Sequence, residues 1–366
     1  MLITKHSDRS LVKPKEEQPI IKLGLDVHAS QITVCRQEGG LLPQPAQKMS
    51  WEKALAWIAG LVAGGARVHS CYEAGPCGYG LHRQLGAMGV SNLVVAPQRW
   101  DEHCKRVKTD KRDARELADR LDRYLRGNHG AFSLVRVPSE DQEQRRALAR
   151  QRGLMVRDRN RFVVRGRLML LAQGRRVACQ WWKPVHWIEL RDTLPAWLGE
   201  LLQPWQAQAV SLEKEIEALT PKVEALHGSK PIPKGIGTLT AAILGSEVLD
   251  WHRFKNRRQV ASYTGLCPSE ASSGDKRKQG SINRCGNARL RHQLVEAVWR
   301  LERWQPGYPP IKKLRKTTGV RSRKRIAVAA ARRLAIDLWR IETGQCSARK
   351  LGLKLAVPSL SEPMGE

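Results

Sequence analysis

Apolar and polar residues along the chain change their period several times, and each change outlines an element. Residues 20–27 (IIKLGLDV) are nearly continuous in apolar character and predict a buried strand, and 31–35 (QITVC) predict its antiparallel partner. Trp51, Leu55, Ala56, Ile58 and Leu61 recur at helical spacing, which predicts a helix over 51–63. Residues 66–72 read as a short strand running into Glu73. Gly75, Pro76 and Gly78 then break the chain before a helix over 79–88, and 92–96 (NLVVA) read as a further strand closed by Pro97. Strands alternating with helices predict an α/β domain over 19–137.

The period then turns helical. Ala114, Leu117, Ala118, Leu121 and Leu125 predict a helix beginning at residue 111. Asp110 fits its N-cap and Asp113 its first turn, so both carboxylates sit at the positive end of the helix dipole. Residues 138–227 interleave charges with Leu, Val and Ala and predict long paired helices, a coiled-coil linker suited to oligomerisation. Trp181, Trp182, Trp187, Trp197 and Trp205 within it predict anchors between helices or subunits. Residues 228–345 predict a second, mostly α-helical domain, 1–18 a disordered N-terminus and 346–366 a loose tail.

Charge narrows the partners. The chain carries 64 Lys and Arg against 35 Asp and Glu, a formal net charge of +29. That balance predicts a polyanion, nucleic acid first. A membrane surface is the rival, but no apolar stretch has spanning length and residues 1–18 lack the apolar core of a signal peptide. The chain is expected in the cytoplasm, associated with the nucleoid, with no membrane partner. Its eight cysteines form no CxxC pair, which argues for plain thiols rather than a zinc site.

In so basic a chain, four acids stand out: Asp26, Glu73, Asp110 and Asp113. Asp26 follows an apolar strand, where a carboxylate is costly unless a cation or metal partners it. Strand ends and a helix start can meet at one edge of an α/β sheet. Four carboxylates there suit Mg2+ or Mn2+ ions that clamp the attacking and leaving oxygens of a phosphodiester. Taken singly, Asp110 and Asp113 also read as a helix cap and a solvated first-turn acid.

Three basic motifs follow. In PIPKGIGTLTAAIL (231–244), Pro233, Gly235 and Gly237 predict a tight turn between helices with Ile236 inward, a helix-hairpin-helix-like motif. Lys234, Gly235 and Gly237 would grip a phosphate there; a purely structural turn is the alternative. Ser272-Ser273-Gly274 precedes Lys276-Arg277-Lys278, and a serine beside clustered cations can attack a phosphodiester. A flexible turn next to a solvated basic run is the other reading, and the residues alone favour it. Gly286-Asn287 predict a turn into a helix, with Arg284, Asn287, Arg289 and Arg291 available to phosphates. The basic stretch 312–325, with Arg321, Arg323 and Lys324, predicts a phosphate-contacting surface.

The segments LGLDVH, CYEAGPCGYGLHRQL, KTDKRDARELA, PIPKGIGTLTAA and YTGLCPSEASSGDKRKQGSINRCGNARLRHQLVEA, in that order, resemble IS110/IS1111-type transposases. CYEAGPCGYG and SSGDKRKQG look closer to the IS1111 branch. The likeness covers residues 20–135 and 228–340 and is weaker between them. The resemblance implies a RuvC-like (ribonuclease H-like) N-terminal domain with a DEDD metal set, its four positions occupied by Asp26, Glu73, Asp110 and Asp113. It implies an IS116/IS110/IS902-type transposase domain whose catalytic serine is matched by Ser273. It also implies a recombinase acting on a circular element intermediate, guided by a structured noncoding RNA that pairs with donor and target DNA. Dimers would join into tetramers, the metal domain of one subunit completing the serine site of another. Many relatives carry a Lys after the motif histidine; here Ala29 and Ser30 follow His28, which removes one phosphate contact.

The expectation is therefore an RNA-guided DNA transposase that cuts and rejoins DNA through a phosphoserine at Ser273. One rival is a metal-dependent Holliday-junction-type nuclease using water. The other is a non-catalytic nucleic-acid-binding protein with structural acids. No P-loop pattern is present in the sequence, so no ATP requirement is expected.

Overall fold

The computed structural model describes residues 18–97, 109–270 and 279–356. The terminal expectations for 1–17 and 357–366 lie outside them. The chain divides into two compact units, Met1–Val137 and Pro138–Glu366.

The N-terminal unit is built on strands β1 (Ile20–Val27), β2 (Ile32–Glu38) and β3 (Gln47–Met49), helix α1 (Trp51–Ala63), strand β4 (Arg67–Glu73), helix α2 (Gly80–Ala87), strand β5 (Ser91–Val95) and helix α3 (Asp110–Leu125). The sheet order is β3-β2-β1-β4-β5; β1, β2 and β3 pair antiparallel, while β1, β4 and β5 run parallel. The short polar strand β3 has no apolar signal of its own and escapes sequence reading; its pairing with β2 defines it.

Side chains alternate along β1. Ile21, Leu23 and Leu25 join Ile32, Val34, Ala54, Ile58, Leu81 and Leu85 in the core that α1 and α2 cover. Lys22, Gly24 and Asp26 lie on the opposite face, and α3 packs there. A Cβ on Gly24 would stand 2.1 Å from the Ala114 carbonyl oxygen and 2.4 Å from the Ala118 nitrogen, so α3 touches β1 backbone to backbone. Lys22, only 6 % exposed, pairs with Asp122 on α3 and donates to the Gly39 carbonyl. Burial works to raise the Asp122 carboxyl, but Lys22 and Arg126 together outweigh it and hold it below the usual range. Helix α3 starts one residue earlier than its apolar period suggests. Thr109, with extended backbone, is its N-cap, and Asp110 lies in the first turn rather than capping it.

The C-terminal unit opens with α4 (Glu140–Ala172), α5 (Pro184–Arg191) and α6 (Ala196–Ala225). A capping box of Ser139 and Gln142 starts α4. Its 33 residues span about 50 Å. Helices α4 and α6 run antiparallel: Arg152 donates to Thr220, and Arg159 pairs with Glu213 further along. Trp181, Trp182 and Trp187 close this hairpin in a buried cluster with Val163, Leu170, Leu198 and Leu202. Gly166 leaves room for the Trp181 ring, whose atoms would lie 2.1 Å from a Cβ. These tryptophans thus anchor helices of one chain to each other, whereas Trp197 is half exposed.

After this hairpin come β6 (Ile232–Pro233), α7 (Thr238–Val248), a 3-10 turn (Trp251–Arg253), α8 (Arg257–Thr264), the β-hairpin β7 (Pro268–Glu270) and β8 (Gln279–Ile282), α9 (Ala288–Trp304), α10 (Pro309–Lys316), α11 (Val320–Glu342) and β9 (Leu355–Ala356). Leu290, Leu294, Val298, Leu301, Ala327, Ala331 and Leu334 form the centre of their shared core. The stretch from 346, expected to be loose, is held as far as 356. Ala348 and Leu353 are buried in the core and β9 pairs with β6, because two apolar anchors suffice for a short segment.

The backbone contact at Gly24 predicts a cost. Gly24→Ala lowers the unfolding free energy of the N-terminal unit by about 3 kcal/mol, the upper end for overpacking, since both atoms met are main-chain and cannot rotate away. Denaturant unfolding of the full chain measures it; a loss below about 0.5 kcal/mol, the range of an ordinary surface change, refutes the close approach.

Candidate functional site

One row of residues crosses the sheet of the N-terminal unit. Lys48 on β3 pairs in register with Thr33 on β2, and Thr33 pairs with Asp26 on β1. The parallel register sets Leu25 beside Tyr72, so Asp26 and Glu73 come next on neighbouring strands. Register partners share a face, and this row lies on the face that α3 covers. Helix α3 runs over Gly24 and brings its N-terminal turn, with Asp110 and Asp113, to the row.

The contacts there are specific. His28, in the β1–β2 turn, places Nε2 3.2 Å from Asp26 Oδ2 and 3.7 Å from Asp110 Oδ1. Lys48 donates from Nζ to the other Asp110 oxygen at 2.7 Å. The His28 backbone is held at both ends: its N–H donates to Gln31 O at 2.9 Å, and its carbonyl accepts from Trp51 Nε1 at 2.9 Å. Burial pushes the Asp26 carboxyl up, His28 opposes this, and the charges of Asp110 and Asp113 add to the rise. Asp110 moves the other way, held below the usual range mainly by its hydrogen bond from Lys48.

The donor set fits a divalent cation. Asp26, His28 and Asp110 each offer one ligand atom, all within 4.8 Å of one another. Beside Asp26 in register, Thr33 is fully buried and its Oγ1 has no hydrogen-bond partner among the described residues. Glu73 follows Tyr72 on the neighbouring strand β4, and Asp113 lies in the same first turn of α3 as Asp110; the ligand atoms close to one another are those of Asp26, His28 and Asp110. Sequence reasoning does not single out His28 or Lys48 as site residues. His28 had a faint signal, two residues from Asp26. Lys48 had none, since only the β2–β3 pairing brings it here, and it restores a cation to a motif that lacks the usual lysine.

Burial pushes the Cys71 thiol up and Cys35 up to about 11, so both are neutral and poor ligands.

Because Asp26 titrates above its ordinary value, it favours the folded state when protonated. That contribution is complete below the unfolded-state pKa and is lost as pH rises through the raised folded-state pKa. In EDTA, Asp26→Asn therefore gains thermal stability over wild type as pH rises from 4 toward 8 (about the range above a free carboxyl's pKa). Paired melts across that range check the sign; a variant that loses stability with rising pH contradicts it.

In the C-terminal unit, Ser273 lies outside the described residues, with Ser272, Lys276, Arg277 and Lys278. The base of their loop is described. Strands β7 and β8 pair Pro268 with Ile282 and Glu270 with Gln279. Gly265, at φ +65° after α8, meets Gly286, where a Cβ would stand 2.5 Å from the Gly265 nitrogen and 2.6 Å from Tyr263 O. Glu247 on α7, 1 % exposed, binds both flanks. Its carboxylate accepts two hydrogen bonds from Arg150 at 2.9 and 2.8 Å and one from Asn287 at 2.8 Å, and its carbonyl accepts from Tyr263 Oη at 2.7 Å. Burial raises this carboxyl, but Arg150 and Asn287 outweigh it and keep it ionised.

The other basic candidates sit in varied places. Asn287 caps α9, accepting from the backbone N–H groups of Arg289 and Leu290. Arg291 donates to Thr264 O at 3.0 Å and Arg284 is exposed. Gly237 caps α7, and Gly235, at φ +97°, passes against Trp304, whose ring also receives Lys234 Nζ at 5.3 Å. The turn that carries them joins strand β6 to α7 rather than one helix to another as expected, because Ile232 and Pro233 pair with β9; Ile236 is buried as expected. On α11, Arg321 and Lys324 are exposed, whereas Arg323 donates from Nη2 to both carboxylate oxygens of Glu302, at 2.8 and 2.9 Å, over the Trp299 ring.

That difference separates two effects. Reversing Arg321 and Lys324 to Glu weakens nucleic-acid binding and reduces its salt slope by about 2, with folding unchanged. Arg323→Ala instead costs about 1 kcal/mol of stability. Salt titrations and melts of the two variants decide; an unchanged slope in the double reversal removes these residues from the surface.

Comparison with known proteins places the chain among relatives. A family model described as the Transposase IS116/IS110/IS902 family matches residues 233–310. "Putative transposase y4rJ" of Sinorhizobium fredii (strain NBRC 101917 / NGR234) is 32 % identical over 298 residues, 73 % of this chain and 75 % of that protein. The transposase for insertion sequence element IS1533 of Leptospira borgpetersenii is 26 % identical over 302 residues, 76 % of this chain and 84 % of that one. The transposase for IS1111A of Coxiella burnetii (strain RSA 493 / Nine Mile phase I) is 27 % identical over 302 residues, covering 76 % and 80 %. No helix among the described residues is long and apolar enough to cross a membrane.

Proposed function

This chain belongs to the IS116/IS110/IS902 family of transposases, and on that premise we propose that it moves an insertion sequence by cutting and rejoining DNA through Ser273. The observation that carries the reading is the cluster of Asp26, His28 and Asp110, with Asp113 in the same first turn of α3 and Glu73 next in strand register, in a chain of net charge +29. Such a cluster repels phosphate unless a cation joins it.

Asp26, Glu73, Asp110 and Asp113 are the residues that would hold Mg2+ or Mn2+. When bound, the ion supplies charge neutralisation for the phosphate and its leaving oxygen. Lys276, Arg277, Lys278, Arg284 and Arg291 bind and orient the phosphate. Ser273 Oγ attacks phosphorus and gives up its proton to solvent; the P–O3′ bond breaks, and the departing 3′-oxygen takes a proton. The products are a phosphoserine ester and a 3′-hydroxyl. A 3′-hydroxyl of the partner strand then attacks the ester and frees Ser273. One phosphorus–oxygen bond forms for each that breaks, so no nucleotide is consumed.

The mixed sheet with helices on both faces supports a RuvC-like reading of residues 19–137. Residues 138–227 supply the oligomerisation segment and 228–345 the serine domain, with Lys234, Gly235 and Gly237 gripping phosphate as a helix-hairpin-helix would. Guidance by a structured RNA and assembly of dimers into tetramers belong to the same proposal, on the strength of the motif resemblance.

Ser273→Ala lowers strand exchange by about 10³-fold or more. Its stability stays within about 0.5 kcal/mol of wild type, as for a surface change. Ser272→Ala does less harm. A covalent protein–DNA adduct, trapped on a nicked substrate and mapped by peptide sequencing, falls on Ser273. If Ser273→Ala recombines DNA at the wild-type rate, a nuclease using water replaces this reading.

A further inference from the structure

Beside the carboxylates stands an imidazole, His28, that contacts two of them, Asp26 and Asp110. We propose that His28 is itself a ligand of the metal centre, making it a mixed nitrogen–oxygen site that prefers a first-row transition ion such as Mn2+ to Mg2+. The inference rests on the carboxylate-centre reading above and deepens it.

The geometry points this way on three counts. The first is spacing. Two ligands about 2.1 Å from one ion and at right angles to each other lie about 3 Å apart. His28 Nε2 stands 3.2 Å from Asp26 Oδ2 and 3.7 Å from Asp110 Oδ1, close to adjacent positions of one coordination sphere. The second is preorganisation. Hydrogen bonds to Gln31 O and from Trp51 Nε1 hold the His28 backbone on both sides and fix the point from which its ring reaches Asp26 and Asp110. The third is the orientation of Asp110. Lys48 takes its Oδ2, which turns Oδ1 toward the cluster, the role of a residue that orients a ligand.

The chemistry follows from the donors. Mg2+ favours oxygen ligands and near-ideal octahedral geometry, and retains several waters. An imidazole nitrogen favours the borderline transition ions. His28 is 49 % exposed at its side chain, which leaves coordination positions on the solvent side for water or a phosphate oxygen.

The test uses the full-length protein. Mn2+ and Mg2+ are titrated separately into wild type, His28→Ala, His28→Gln and Asp26→Ala, with circular dichroism confirming the fold of each. Wild type binds Mn2+ more tightly than Mg2+. His28→Ala and His28→Gln each weaken Mn2+ binding by about tenfold or more, while Mg2+ binding changes by less than about threefold. Pulsed electron paramagnetic resonance of the Mn2+ complex shows coupling to a nitrogen nucleus in wild type and none in either variant. If one His28 variant fails to fold, the other carries the comparison. Absence of nitrogen coupling in wild type overturns the proposal, as do equal losses for both ions. If Asp26→Ala loses both ions while the His28 variants lose neither, the carboxylate centre stands and His28 is only a neighbour. If Asp26→Ala keeps full binding of both, the carboxylate centre itself fails and this proposal falls with it.

Discussion

The absence of one side chain sets the geometry of the N-terminal unit. With no Cβ at Gly24, α3 lies against β1 at main-chain contact, closer than any other residue would allow. Three alternate residues of β1 then meet three levels of the helix. Lys22 pairs with Asp122, Gly24 admits Ala114 and Ala118, and Asp26 meets the turn that holds Asp110. The helix is thereby fixed in rotation as well as position. A buried ion pair adds little net stability over an apolar pair, but an unpaired Lys22 would be costly, so it selects this docking over others.

The same arrangement concentrates like charge. Asp26 is pushed up and Asp110 is pulled down, although both belong to one cluster. The difference lies in their surroundings: Asp26 is partly buried between strands, whereas Asp110 is more exposed and receives Lys48. His28 contacts both carboxylates, and Lys48 contacts Asp110 alone.

In the C-terminal unit, order around the serine loop comes from a buried acid. Glu247 ties α4, through Arg150, to both flanks of the β7–β8 hairpin, through Tyr263 and Asn287. The Gly265–Gly286 contact closes the hairpin base. The loop therefore springs from a rigid platform whatever its own conformation. Glu247 looks unremarkable in sequence, a glutamate late in an apolar helix, and its neighbours Arg150 and Asn287 are 97 and 40 residues away.

Periodicity and motif order alone established the strand–helix alternation of the first unit, the helical character of the second, and the family. These are local or short-range properties: burial imposes a period of two or 3.6 on any strand or helix, and a motif keeps its order along the chain. Proximity is a different kind of fact. The row Lys48–Thr33–Asp26–Glu73 joins four strands across 48 residues in sequence by register alone, and a one-residue slip would turn each member to the other face. The contacts of His28 with Asp26 and Asp110, that of Lys48 with Asp110, the pairing of Arg323 with Glu302, and the bonds of Glu247 to Arg150, Tyr263 and Asn287 likewise come only from tertiary packing. A charged side chain reads the same in sequence whether it faces solvent, a phosphate or a buried partner, because the energy that decides among them is set by neighbours brought together in the fold.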